Sequence, residues 1–134
     1  MILCDAGPLV ALIDTADSRH LDCKKVLPQI DYLVTTWPCF TEAMYLVGRR
    51  FGFKPQQDLW NLIAIGAVVL HEATAEERMR MQALMEQYQN VPMDLGDASI
   101  VAAAESLGET RVFTLDSDFG IYRLNNTTAF EILP

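Results

Sequence analysis

Five short runs of apolar or β-branched residues recur along this chain, and stretches of helical period or turn residues separate them. They are Met1–Asp5 (MILCD), Tyr32–Thr36 (YLVTT), Ala67–Leu70 (AVVL), Arg111–Leu115 (RVFTL) and Ala129–Leu133 (AFEIL). Runs of four or five residues are too short for helices and suit buried strands. Helices between them point away from a hairpin meander, because a strand–helix–strand unit returns the chain in the same direction. The pattern predicts an α/β fold: a mostly parallel central sheet of about five strands with helices on both faces.

The intervening helices carry their own boundary signals. Pro8 suits a first helical turn, with Leu9, Val10, Leu12 and Ile13 as the apolar face. Asp17 or Ser18 caps a second helix that runs towards Leu27. Pro38 opens a third, which passes Leu46 and ends near Gly52. A fourth covers about Pro55 to Ile65, and Gly66 stops it. Thr74 and Glu77 form an S/T-x-x-E capping box for a long fifth helix reaching about Gln89 and carrying Met79, Met81 and Met85. Pro92 then breaks the chain. Asp94 caps a sixth helix through Ile100, Val101, Ala104 and Leu107, and Gly108 ends it. Asp116–Tyr122 reads as irregular or briefly helical. With no repeat, linker or low-complexity segment, the 134 residues read as one domain around one core.

Composition narrows the function. Eighteen acids against ten lysines and arginines give a net charge of -8, which argues against binding nucleic acid through bulk positive charge. It leaves open a protein whose acids are gathered to hold cations. Apolar residues make up 51%, high enough to exclude disorder and to reserve surface for a partner. Cys4, Cys23 and Cys39 are odd in number and lack C-x-x-C spacing, so buried free thiols in a reducing cytoplasm are expected. No signal-peptide pattern opens the chain, and no apolar run approaches the ~20 residues of a membrane span. His20 and His71 have no metal-ligand spacing to another His or Cys, and the serines lack a G-x-S-x-G elbow.

The acids fall where such a fold places ligands, beyond the carboxyl ends of the strands. Asp5 ends the first run, and Asp116 and Asp118 follow RVFTL. Glu42 lies early in the helix after the second run, and Asp94 and Asp97 occupy the first turn of the sixth helix. Most have a plainer role available: Asp94 as an N-cap, Asp97 as a partner of the helix dipole, Asp116 and Asp118 as turn residues, Glu42 on a solvated face. Asp5, between a buried strand and a helix, has none as obvious. Parallel strands would bring all six to one edge. Convergent carboxylates repel unless cations neutralise them, and oxygen-only ligands favour Mg²⁺ or Mn²⁺. Two such ions ~4 Å apart can activate a water at a phosphodiester.

Four segments resemble the PIN-domain ribonucleases, and among them the VapC-type toxins of bacterial toxin–antitoxin pairs: ILCDAGPLVALID, TEAMYLVGRR, PMDLGDASIVAAAESLG and VFTLDSDFGIYR, in the family's order over nearly the whole chain. The resemblance implies that Asp5, Glu42, Asp97 and Asp116 are the catalytic acids, with Asp118 as an auxiliary ligand and Asp94 behind them. They would hold one or two Mg²⁺ or Mn²⁺ ions that activate water for RNA cleavage. It also implies a homodimer and an antitoxin protein that occupies the acidic site. The small hydroxyl residue often found shortly after the first acid is absent, since Ala6 and Gly7 stand there.

A polyanionic substrate needs some basic grip. Arg49, Arg50 and Lys54, interleaved with Phe51 and Phe53, and Arg123 beside Tyr122, are the candidate RNA-binding residues. The two arginines equally suit a helix C-terminus. Trp60, Leu62, Ile63 and the methionine-bearing helix supply core, with any remainder facing a dimer partner or an antitoxin helix. Two rival functions remain. One is a non-catalytic PIN-like interaction module. The other is a Mg²⁺-dependent phosphotransfer or phosphatase domain, whose D-x-D after an early strand is missing at Asp5-Ala6-Gly7.

Overall fold

The computed structural model describes residues 1–134 and assembles the five runs into one sheet. Its strands are β1 (Ile2–Cys4), β2 (Leu33–Thr36), β3 (Val68–His71), β4 (Arg111–Phe113) and, after a small separate hairpin of β5 (Arg123–Leu124) and β6 (Thr128–Ala129), β7 (Glu131–Leu133). The order is β3-β2-β1-β4-β7, and every pairing is parallel. Residues of β1 and β2 are buried one after another, as strands covered on both faces must be. β7 closes one edge and is largely exposed.

Six helices cover the sheet: α1 (Ala6–Ile13), α2 (His20–Val26), α3 (Trp37–Phe51), α4 (Phe53–Ala64), α5 (Ala75–Gln87) and α6 (Leu95–Leu107). The architecture is that expected from the sequence, an α/β fold on a five-stranded parallel sheet. Three caps set the helix starts at the acidic edge. Asp5 accepts the Ala6 amide at 2.7 Å at the start of α1, Thr36 caps α3, and Asp94 accepts the Asp97 amide at 2.8 Å at the start of α6. Because α1 and α3 each begin directly after a strand, both start at the carboxyl edge of the sheet and run back towards the other. α6 presents a run of buried alanines, Ala98 and Ala102–Ala104, that lets it approach its neighbours closely. Below the acidic edge, Phe119, Tyr122, Phe130 and Tyr88 pack edge to face.

Four local expectations are corrected. The second helix begins at His20, because the Asp17 carboxylate accepts the Arg19 amide at 2.8 Å and forms a turn in place of the expected cap; a 3₁₀ turn over Leu27–Gln29 ends it. The third strand is Val68–His71, one residue later than the run AVVL. The run AFEIL is split at buried Phe130, with Ala129 in the hairpin and Glu131–Leu133 in the sheet. Asn125 and Asn126, at φ 49 and 63, turn that hairpin in the left-handed region asparagine tolerates. Finally, Thr74 accepts the Glu77 amide at 3.1 Å, but the Glu77 carboxylate turns to His71 Nε2 at 2.8 Å and leaves the capping box half made.

Leu84 on α5 is wholly buried in the core. Leu84→Ala is expected to cost about 2–5 kcal/mol. Urea denaturation checks this, with a lower midpoint and an unchanged slope as the expected result.

Candidate metal centre

The site begins with one backbone bond. Asp5 N–H donates to the Phe113 carbonyl at 2.9 Å, carrying the β1–β4 ladder one residue past the strands and fixing Asp5 at the carboxyl edge. Its Oδ1 is held by the α1 cap, and its Oδ2 accepts the Thr114 hydroxyl at 2.8 Å. The same hydroxyl oxygen accepts the Asp116 amide at 3.0 Å, so Thr114 ties the first acid to the loop carrying the last two. Asp116 Oδ1 in turn accepts the Asp118 amide at 2.9 Å. Buried Cys39, on α3, places its thiol 3.6 Å from Asp5 Oδ1.

Asp97 enters from α6, one turn beyond its capping residue Asp94. Its Oδ2 accepts the Tyr122 hydroxyl at 2.7 Å. Glu42 comes from the second turn of α3. Between these helices lies Gly96, where an added Cβ would sit 3.3 Å from Asp94 Oδ1 and 3.8 Å from Glu42 Oε2. Thr36 and Ser99 lock α3 to α6 behind the site through a 2.6 Å hydroxyl–hydroxyl bond.

A hollow of about 410 Å³ results, lined by Asp5, Glu42, Asp94, Asp97 and Asp116 with Ala6, Gly7, Leu115 and Ser117. Asp118 is not among its lining, yet Asp97, Asp116 and Asp118 each offer a carboxylate oxygen within 4.8 Å of the others. All six expected acids are therefore brought to one edge of the sheet, and no lysine, arginine or histidine lines the hollow. The electrostatic consequence is direct. Burial pushes the Asp97 carboxyl up to about 7, with Asp94, Asp5 and Asp116 adding repulsion and the Tyr122 hydroxyl offsetting part of it. Burial also raises Asp5 and Glu42, and neighbouring carboxylates add to both. Cys39 and Tyr122 are driven upward, first by burial and then by the adjoining acids, so both act as proton donors. An all-oxygen donor set of mutually repelling carboxylates without a counter-charge fits a hard divalent cation.

The candidate RNA-binding residues are placed differently. Arg49 and Arg50 end α3 two turns past Glu42, about 10 Å further along the helix and towards the opposite edge of the sheet. Arg50 pairs with buried Asp14 at 3.3 Å and lies over Phe51, Arg49 donates to Tyr45, and Lys54 pairs with Asp58. Arg123 is nearer the acids, but its guanidinium folds back onto the carbonyls of Gly120, Ile121 and Tyr122. The three cysteines are free and buried, and His20 bonds the Ala11 carbonyl at 2.8 Å. The structure adds Thr114, Tyr122, Cys39 and Ser117 to the site, four residues that sequence reasoning misses. Thr114 precedes the acidic loop and Ser117 lies between its two acids, and that adjacency is the one signal the sequence offers for them. Tyr122 and Cys39 reach the acids only through tertiary packing.

The PIN domain family model matches residues 2–124. The chain belongs to the PIN domain family. Among solved structures it is similar to Mycobacterium tuberculosis VapC20, a sarcin–ricin loop cleaving toxin, with 19% identity, a TM-score of 0.82 and coverage of 90% of this chain and 94% of that one. A toxin–antitoxin complex from Klebsiella pneumoniae matches with 20% identity, a TM-score of 0.66 and 89% and 90% coverage. VapBC2 of Rickettsia felis, solved bound to a DNA fragment from its promoter, matches over 100% of both chains with 14% identity and a TM-score of 0.68. No curated protein matches by sequence.

Two outcomes are expected at this centre. Thr114→Val should reduce any metal-dependent activity by about 10- to 100-fold by releasing Asp5, and Thr114→Ser should restore most of it. A raised folded-state pKa adds stability at acid pH that is lost as pH rises through the folded value. For Asp97 that window runs from its ordinary 3.8 to about 7. In EDTA, the melting temperature should therefore fall across this window, Asp97→Asn should flatten the fall, and Mn²⁺ should reverse it. A melting temperature in EDTA that does not respond to pH would contradict the electrostatic account.

Proposed function

We propose that this chain is a divalent-metal-dependent endoribonuclease of the VapC type, the toxin of a toxin–antitoxin pair, acting with Mg²⁺ or Mn²⁺. The observation that carries the reading is the convergence of Asp5, Glu42, Asp97, Asp116 and Asp118, from four separate segments, on one edge without a counter-cation. When bound, the ion supplies a Lewis acid at the phosphate and a lowered pKa for the attacking water. Asp97, Asp116 and Asp118 are the residues that would hold it, since their oxygens already lie close together. Asp5 is oriented by Thr114 and the Ala6 amide, and Tyr122 holds Asp97. Glu42, exposed and with its carboxyl raised, can take a proton from water at the open side of the hollow. Attack of water on phosphorus with cleavage of the P–O3′ bond leaves a 5′-phosphate and a 3′-hydroxyl.

A partner antitoxin is proposed from the toxin–antitoxin relatives and from apolar surface the fold leaves uncovered. A cavity of about 530 Å³ lined by Leu12, Ile13, Leu27, Ile30 and Leu62, among others, opens at the amino edge of β2 and β3. Trp60 and Met79 are exposed as well. A second copy of the chain is the other proposed partner. No helix is long and apolar enough to cross a membrane.

Purified protein freed of any bound antitoxin should cut RNA in Mg²⁺ or Mn²⁺. EDTA, Asp5→Asn or Asp97→Asn should each lower the rate by at least about 100-fold, beyond the range of losses caused by supporting residues. End-mapping should find 5′-phosphates. Cleavage undiminished in EDTA, or 2′,3′-cyclic phosphate ends, would overturn the mechanism.

A further inference from the structure

A second hollow adjoins the acidic one and shares two of its walls. It measures about 560 Å³ and is lined by Trp37, Pro38, Thr41 and Glu42 at the start of α3 and by Asp94, Leu95 and Gly96 at the start of α6. Glu42 and Asp94 belong to both hollows. Trp37 is the first residue of α3, and it is 41% exposed beside this hollow.

The indole is held in place and left partly exposed. Its Nε1–H donates to Glu72 Oε1 at 2.8 Å, which satisfies its one polar group. It meets Phe40 edge to face, with centroids 6.0 Å apart, and Phe40 packs in the same manner on Trp60 at 5.1 Å. An aromatic ring anchored at its edge and left partly exposed costs little entropy to use. The hollow has no cation among its residues, and Glu42 and Asp94 repel anions, so a phosphate finds no partner there. A flat, uncharged ring with N–H donors suits it: the ring stacks on the indole, and the two carboxylates accept its donors.

We propose that Trp37 is a base-stacking platform that holds one unpaired nucleobase of the RNA, next to the phosphodiester seated among the acids. The proposal rests on the ribonuclease reading for its substrate. It makes Trp37 a binding and specificity residue, and it explains how a protein with no lysine or arginine lining either of these two hollows can grip RNA there: by stacking, which tolerates a field that repels phosphate.

The test uses Trp60→Phe protein, in which Trp37 is the only tryptophan, titrated with a single-stranded RNA dodecamer in Ca²⁺ and separately assayed for cleavage in Mn²⁺. Saturable quenching of the Trp37 emission is expected. Trp37→Ala should lower kcat/KM roughly 5- to 150-fold, the range of one lost base stack, and Trp37→Phe should recover most of it. Mn²⁺ affinity should be the same in all three proteins, which excludes misfolding. An RNA with one abasic site beside the cleaved bond should lose the same factor in wild type and nothing further in Trp37→Ala. Cleavage without quenching overturns the platform and leaves the nuclease reading standing. Quenching without cleavage supports the platform and overturns the nuclease. Emission that changes with protein concentration and ignores RNA places a second copy of the chain on this face and overturns the platform.

Discussion

The acidic edge depends on the parallel pairing of β1 with β4. Leu3 lies opposite Val112 and Cys4 opposite Phe113, so the next residues out, Asp5 and Thr114, meet beyond the strands. In a sheet of period two, a slip of one residue turns every side chain to the other face. Here it would separate Asp5 from Thr114 and free the loop that carries Asp116 and Asp118. Apart from Arg111, both strands consist of buried apolar residues, so the hydrophobic core itself enforces the register on which the polar site relies.

That enforcement is needed because the site works against the fold. Asp5, Glu42 and Asp97 all have their carboxyls raised, burial being the first cause in each case. Four devices hold the groups together against repulsion: two helix caps, the Thr114 hydroxyl shared between Asp5 and Asp116, and the Tyr122 hydroxyl on Asp97. Each supplies a donor aimed at a carboxylate, the Thr114 oxygen also accepts the Asp116 amide, and none supplies a positive charge. The geometry is thus preorganised while the charge remains uncompensated, which is the state that a cation-binding site needs before the cation arrives.

Much of this is legible in the sequence because period and position carry it. MILCD and YLVTT are buried strands by length and composition, and Asp94 and Gly108 bracket α6 by side-chain chemistry and by the left-handed φ of 67 at Gly108. The six acids can be located because parallel strands bring their carboxyl ends to one side. The illegible parts are those that three-dimensional packing decides. Glu77 has a capping-box position, yet the part-buried ring of His71 competes for its carboxylate. AFEIL reads as one strand, yet Phe130 is drawn inward against Phe119 and divides it. Arg49 and Arg50 look like a basic patch in one dimension, and helix rise carries them away from the acids. Tyr122 follows Asp97 by 25 residues, and no periodicity links the two.

The most direct test of the metal centre is a crystal of the protein soaked in Mn²⁺, with anomalous scattering used to find the metal. A peak is expected between the carboxylates of Asp97, Asp116 and Asp118, within reach of Asp5, and it should disappear in Asp97→Asn. No peak at saturating Mn²⁺, or a peak only elsewhere on the surface, would contradict the assignment of these acids as a cation site.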